Sequence, residues 1–417
     1  VIVASAMGRR ELVSSHNIHL TADALAEEVD YSDVDMVVLP GGIDGLQLLQ
    51  GARRKLGLQA ALLHGVNRNA HQVAAVKCVL FVHGSNVSCC RRPVTKKPQT
   101  GCQRGSTAAG FNAMNTTMEF TVYSSASLVD DAEALINSLE DELSVTKDTS
   151  EIAQINQNGS GTVTGSTADL MGKALAMCSR TNGTLDISVY PIVRAWGFTT
   201  GSYKVPSEEE LTSLLPLVDY TNVQYDEVTG EVILPAGMEI DLGSIAKGYA
   251  GQQAAELLRE KGVTSALLNL GGNVQTIGSK PDGGAWQIAV KNPHNKEPMM
   301  VVSVRDKAVV TSGGYERYFE QGGKTYWHIM DPKTGRPADS GLLAVTVIGE
   351  DGAMCDGLST SLFVMGLEKA AALWAESSDF EAIFIAADGT VYITDGLKED
   401  FSLLSDYADT TVQVITR

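Results

Sequence analysis

Asp241-Leu242-Gly243-Ser244-Ile245-Ala246-Lys247-Gly248-Tyr249-Ala250 is the stretch on which the reading of the fold turns. Val232-Ile233-Leu234 and Met238-Glu239-Ile240 just upstream read as extended. Ala246 to Glu260 reads as a helix with small and apolar residues on one face. The stretch is therefore expected to be a strand-to-helix junction. Gly243 and Gly248 let backbone come close to a ligand, and the helix start offers free N–H groups to anionic oxygen. Lys247 adds a point positive charge, and Asp241 can accept from a hydroxyl or a ring N–H. Taken alone, the same residues also describe a capped helix with a surface lysine.

Two further clusters shift that balance toward chemistry. In Cys355-Asp356-Gly357-Leu358-Ser359-Thr360, Asp356 and Thr360 lie four apart on a helix expected from Asp356 to Met365. That spacing puts both oxygens on one face. Hard oxygen donors of this kind suit Mg²⁺, which keeps waters and borrows ligands from substrate phosphates. The alternative for Asp356 is a helix N-cap, with Ser359 closing the turn. His328 in His328-Ile329-Met330-Asp331-Pro332 follows Tyr326-Trp327 and leads into a tight turn, a setting that suits a proton carrier.

At this point the chain resembles the ApbE-type FAD:protein FMN transferases. Phe111-Asn112-Ala113-Met114-Asn115-Thr116-Thr117-Met118 is similar to the family's opening Met-Gly-Thr strand, with Asn115 in place of Gly. Ser150-Glu151-Ile152-Ala153-Gln154-Ile155-Asn156, Thr181-Asn182-Gly183-Thr184-Leu185-Asp186 and Ala195-Trp196-Gly197-Phe198 follow in order. Leu268-Asn269-Leu270-Gly271-Gly272-Asn273 and Thr311-Ser312-Gly313-Gly314-Tyr315-Glu316-Arg317 continue the match toward the C-terminus. The resemblance implies an α+β flavin transferase domain that uses Mg²⁺. Its implied reaction moves FMN from FAD to a threonine or serine hydroxyl of a flavoprotein subunit of an electron-transfer complex, releasing AMP. It implies that Ser244 (backbone carbonyl), Asp356 and Thr360 hold the metal, and that Met114, Asn156, Thr184, Leu185, Asp186 and Asp241 line the FAD site. Lys247 and His328 are the expected catalytic residues and FAD contacts, His328 as base. The aromatic residue that the family often carries near Thr146 is missing. Ser312 and Thr311 carry hydroxyls placed to meet phosphate, whereas Trp196 and Phe198 read as core and wall. Rival readings are an FAD pyrophosphatase yielding FMN and AMP, or an FAD-binding protein. The family is typically exported and lipid-anchored, which favours the cell envelope over the cytoplasm.

The net charge of −18 argues against nucleic acid as a partner, and 44% apolar content supports a sizeable core. The charge is uneven. From Gly45 to Thr117 there is no Asp or Glu, while Cys78, Cys89, Cys90 and Cys102 fall there. Before it, Val34 to Gly45 reads as a buried strand ending in a glycine turn, and about fifty residues resemble a partial α/β, flavodoxin-like fragment of the DJ-1/PfpI (ThiJ) family. That family's nucleophilic cysteine elbow is absent, which disfavours a glyoxalase or deglycase. Three segments are thus expected: 1–50 DJ-1/PfpI-like, 51–110 basic and cysteine-rich, and 111–417 ApbE-like. Residues 1–110 read first as a joined or frame-shifted start, then as a degenerate fused domain. The third reading is an export segment with Cys89 as a lipid-bearing cysteine. A zinc site from Cys89, Cys90 and Cys102 has the wrong spacing.

Between the motifs, Met118 to Tyr123 alternates as a strand, and Ala132 to Leu143 and Thr167 to Arg180 read as amphipathic helices. Pro206 to Leu215 and Glu368 to Glu376 are further expected helices. Strands are expected at Thr264–Leu270, Trp286–Val290, Met300–Val304, Leu343–Ile348 and Ala382–Ile385.

Overall fold

The computed structural model describes residues 107–124 and 127–417, with four short strands nearer the N-terminus. The chain forms two compact units, Val1–Gly101 and Cys102–Arg417. In the first, Ala4–Ser5 pairs parallel with Ala24–Leu25, and Glu11–Val13 pairs antiparallel with His19–Thr21. The expected strand from Val34 and the cysteines from Cys78 to Cys102 lie outside the described residues.

The second unit is built on a nine-stranded sheet. Its order is Val412–Ile415, Val391–Thr394, Phe380–Ala386, Leu342–Gly349, Ala308–Gly313, Asn273–Gly278, Ser265–Leu270, Thr116–Val122 and Thr107–Ala113. All neighbours are antiparallel except the pair at the Val412 edge. Successive side chains of a strand point to opposite faces, and both faces here are covered. Ala308, Val310, Val345, Val347 and Phe384 face the helices, including Gly243–Glu260 and Gly352–Met365. Val309, Ile348, Ile383 and Ile385 face a smaller sheet of Trp286–Lys291, Pro298–Val304 and Phe401–Leu403. Burial on both faces is why Leu342–Gly349 reads as a nearly unbroken apolar run rather than an alternating one.

The edge strand begins at Thr107, four residues before Phe111. The expected Met-Gly-Thr strand is instead a hairpin: Met114 and Asn115 form its turn at φ 49° and 58°, between Thr107–Ala113 and Thr116–Val122. Two left-handed residues are what a type I′ turn needs, and Asn tolerates that conformation where the family pattern has Gly. Met238-Glu239-Ile240 is not a strand but a loop. The Asn156 amide clasps it, donating to Ile240 O and accepting from Ile240 N at 2.8 Å each. Thr311 and Ser312 lie in a central strand.

Candidate active site

The two helices that carry the central motifs cross almost backbone to backbone. A Cβ at Gly248 would stand 2.1 Å from Gly352 O and 2.6 Å from Asp356 Cβ, and one at Gly352 would stand 2.6 Å from Gly248 O. Only glycine permits this approach. The helix containing Asp356 starts at Gly352, earlier than its motif suggests, and its N-cap is Asp351, which accepts from Met354 N at 2.8 Å. Asp356 is thereby released from capping. Ser359, expected to close that turn, instead donates its hydroxyl to Asp356 O at 2.9 Å.

Asp356 is 7% exposed, and its Oδ2 accepts from Gly248 N at 2.7 Å. In a regular helix that N–H belongs to the Ser244 carbonyl. Regular helix geometry would therefore bring that carbonyl beside the carboxylate. Burial raises the Asp356 carboxyl from 3.8 to about 6, against the pull of the Lys247 ammonium and the Gly248 N–H. Neither Asp356 nor Lys247 forms an ion pair among the described residues. Thr360, one turn on, lies 3.2 Å from Ser312 Oγ, which also meets Ser359 Oγ at 2.8 Å. Thr311 turns to Thr346 across the sheet, 2.8 Å away, and is not part of this cluster.

This donor set is one carboxylate, one hydroxyl and one backbone carbonyl. No group of three or more His, Cys, Asp or Glu suited to a metal occurs among the described residues. Zinc would find too few ligands here. A hard divalent cation that keeps its waters fits an all-oxygen set of this size. Gln275 supports an oxygen-rich neighbourhood: its buried Oε1 has no partner and lies 2.9 Å from the position of a Cβ at Gly352.

His328 approaches from another element. Tyr318–Gln321 and Lys324–Trp327 form a hairpin, and His328 follows its second strand. His328 N donates to Arg317 O at 3.1 Å, and Nδ1 lies 3.2 Å from the same oxygen. A carbonyl only accepts, so Nδ1 carries the proton and Nε2 keeps its lone pair. Burial, with the Arg317 guanidinium and the Lys247 ammonium nearby, holds the imidazole well below its usual value, so it is neutral at pH 7. The Lys247 ammonium acts on both groups, second only to burial at Asp356 and as the smallest contribution at His328. Asp241 precedes Leu242, the N-cap of the other helix, and accepts from Gly243 N at 2.8 Å. Burial raises its carboxyl and Arg317 opposes that.

Other expected site residues are held differently. Asn156 uses both amide atoms on Ile240 and so positions the loop before Asp241. Asp186 accepts from Ser188 N, Ser188 Oγ and Tyr220 N, inside a buried knot. Thr184 bonds its hydroxyl to Thr181 O, and Leu185 packs beneath Gly357. Met114 donates its N–H to Glu140 and borders an open cleft of about 420 Å³ lined by Asn112 to Thr117 and Glu140. That lining contains none of Asp356, Lys247 and His328. Trp196 and Phe198 are core, as the sequence suggests.

Arg317 is the functional residue that sequence reasoning passed over. It acts on both Asp241 and His328 and anchors its guanidinium on Phe198 O at 2.9 Å. A signal existed: Gly322-Gly323 is a two-residue turn that pairs Arg317 with His328.

With this geometry in hand, comparison with known proteins is direct. The model of the ApbE family matches residues 114–384. An FAD:protein FMN transferase of Klebsiella pneumoniae is 35% identical over 287 residues, covering 67% of this chain and 88% of that protein. One from Treponema pallidum is 33% identical, covering 63% and 78%. The crystal structure of the ApbE protein from Thermotoga maritima superposes with a TM-score of 0.67 at 31% identity, over 71% of this chain and 99% of that one. The flavin transferase ApbE from Vibrio cholerae gives 0.65 at 26% identity, with the same coverage. The match runs through the helix crossing, the hairpin and His328, and the chain belongs to the ApbE family.

Proposed function

We propose that the protein transfers FMN from FAD to a hydroxyl of a target protein. One observation carries this reading: a buried, unpaired carboxylate and a neutral imidazole with a free Nε2 share the field of one lysine. The acceptor oxygen attacks the FMN-side phosphorus of the diphosphate. A P–O bond forms, the bond to the bridging oxygen breaks, and AMP leaves with that oxygen. The hydroxyl proton passes to His328 Nε2. Lys247 offers positive charge to the non-bridging oxygens as negative charge develops. Asp241 fixes the start of the Gly243–Glu260 helix through Gly243 N, and Arg317 holds His328 in the tautomer that can take a proton.

Asp356, Thr360 and the Ser244 carbonyl are the residues that would hold Mg²⁺. When bound, the ion would neutralise charge on the diphosphate. The acceptor in this reading is a threonine or serine of a flavoprotein subunit of an electron-transfer complex, and the working compartment is the cell envelope. Both rest on family resemblance. No helix among the described residues is long and apolar enough to cross a membrane.

The test is incubation with FAD, Mg²⁺ and a flavoprotein acceptor domain. The proposal expects covalent FMN on the acceptor and AMP in equal amount. Free FMN with AMP would mean that water is the acceptor and the protein is a pyrophosphatase. Bound but intact FAD would mean a binding protein.

A further inference from the structure

The hairpin that carries His328 is the remaining feature that the chemistry does not explain. Among the described residues it is a two-stranded sheet, so each strand has an edge without a described strand partner. Arg317 and His328 are a hydrogen-bonded pair, through His328 N and Arg317 O. In an antiparallel ladder such pairs alternate with pairs whose N–H and C=O point away from the partner. Counting from Arg317–His328, the outward groups belong to Tyr318, Glu320, Thr325 and Trp327.

The two edges differ. Trp327 is partly buried, its indole N–H donates to Ala338 O at 3.1 Å, and its ring lies where a Cβ at Gly314 would stand. Tyr318 and Glu320 are exposed, and no hydrogen bond to either backbone N–H is found among the described residues. Phe319, between them, faces the opposite way, stacked on Tyr326 and Tyr203 at 5.3 and 5.2 Å. Tyr318 at 43% and Tyr203 at 49% are two of the few large hydrophobic side chains left exposed among the described residues. Exposed sheet edges are usually blunted, and this one ends beside Arg317, whose carbonyl holds His328 across the hairpin.

We propose that the acceptor polypeptide docks in extended form as a third strand on the Tyr318–Gln321 edge, which delivers its hydroxyl toward His328. The inference rests on the transfer reading above. Main-chain groups of Tyr318 and Glu320 hold the acceptor backbone, and alternate acceptor side chains fall beside Tyr318 or beside Phe319 and Tyr203. Recognition by main chain suits a catalyst whose acceptor must offer one reachable hydroxyl in a flexible segment. Lys296, 5.6 Å over the Tyr318 ring, fixes the face that one set of side chains would meet.

The test uses the full chain, FAD, Mg²⁺ and a flavoprotein acceptor domain that the wild type modifies. If the wild type modifies none, the transfer reading itself fails, and that outcome is separate from this one. Glu320→Pro removes one outward N–H without breaking the ladder bonds to the partner strand. The KM for acceptor should rise about tenfold, the worth of one good hydrogen bond. FAD affinity and kcat at saturating acceptor should hold, and Glu320→Ala should behave as wild type. Amide exchange supplies a second readout: acceptor binding should slow exchange at Tyr318 and Glu320. An unchanged acceptor KM in Glu320→Pro, or protection that spares this edge, would overturn the proposal. Should Glu320→Pro lose FAD binding through misfolding, the exchange pattern of the wild type decides.

Discussion

Asp356 lies where two helix backbones touch, whereas His328 lies at the root of a two-stranded hairpin with an open glycine tip. The first region is core: the carboxylate is fixed by Gly248 N–H, and its neighbour Gly352 is packed too closely on the Gly248 carbonyl for a side chain. The second is edge: the imidazole is fixed by one carbonyl, and the residues before it run out to solvent. The difference teaches a division of labour. In the proposed reaction the diphosphate meets the buried crossing, and the acceptor meets a hairpin whose tip is exposed while its His328 root is not. The Asp356, His328 and Gly248 variants below each pull on one region and should leave the other in place.

Asp356→Asn should have the largest effect on turnover. It keeps an acceptor for Gly248 N–H but removes the one carboxylate of the oxygen set, so metal-dependent activity should fall below detection. Stability should not suffer. The folded carboxyl stands at about 6 against an ordinary 3.8, so burial disfavours its ionised form. Metal-free protein therefore becomes more stable as pH falls from about 6 toward 4, and less stable as pH rises through that window. Asp356→Asn should flatten this slope in thermal melts. A variant that keeps wild-type activity at limiting Mg²⁺ sinks the metal assignment. The same titration predicts activity loss below pH 6, with a midpoint that moves lower as Mg²⁺ rises, because ion and proton compete.

His328→Asn should slow transfer by roughly 10²–10⁴-fold, the usual range for a general base, with FAD affinity unchanged. Because the imidazole is held neutral, no rate step near the ordinary histidine value should belong to it. A large loss of FAD binding would recast His328 as a contact to the flavin nucleotide.

Gly248→Ala tests the core region alone. The added methyl meets a backbone carbonyl at 2.1 Å, so the helices must part, at a cost of about 1–3 kcal/mol. Calorimetry would show it. The smallest effect is at the Met114 turn, where Asn115→Gly should stabilise by about 0.5 kcal/mol by relieving a left-handed residue. A destabilised variant there would show that the Asn115 side chain makes a contact of its own.

Much of the site was legible because its chemistry is local in sequence. Asp356 and Thr360 share one helix face, and Lys247 sits one residue from Gly248. What was not legible depends on partners far along the chain. Asn156 reads as a ligand contact, but its amide replaces a missing strand for Ile240, 84 residues away. The same clasp turns Met238–Ile240 into a loop, since its backbone needs no ladder. Asp186 reads as part of the nucleotide site, yet its oxygens are taken up by Ser188 and Tyr220. The helix starts at Gly243 and Gly352 were hidden because glycine reads as a turn, and only the crossing explains it inside a helix.

FAD affinity with and without Mg²⁺, measured for wild type, Asp356→Asn and His328→Asn, tests the division of labour most directly. The account predicts that Mg²⁺ tightens FAD binding in wild type and His328→Asn alike and has no effect in Asp356→Asn. A Mg²⁺ effect that survives in Asp356→Asn, or vanishes in His328→Asn, would contradict it.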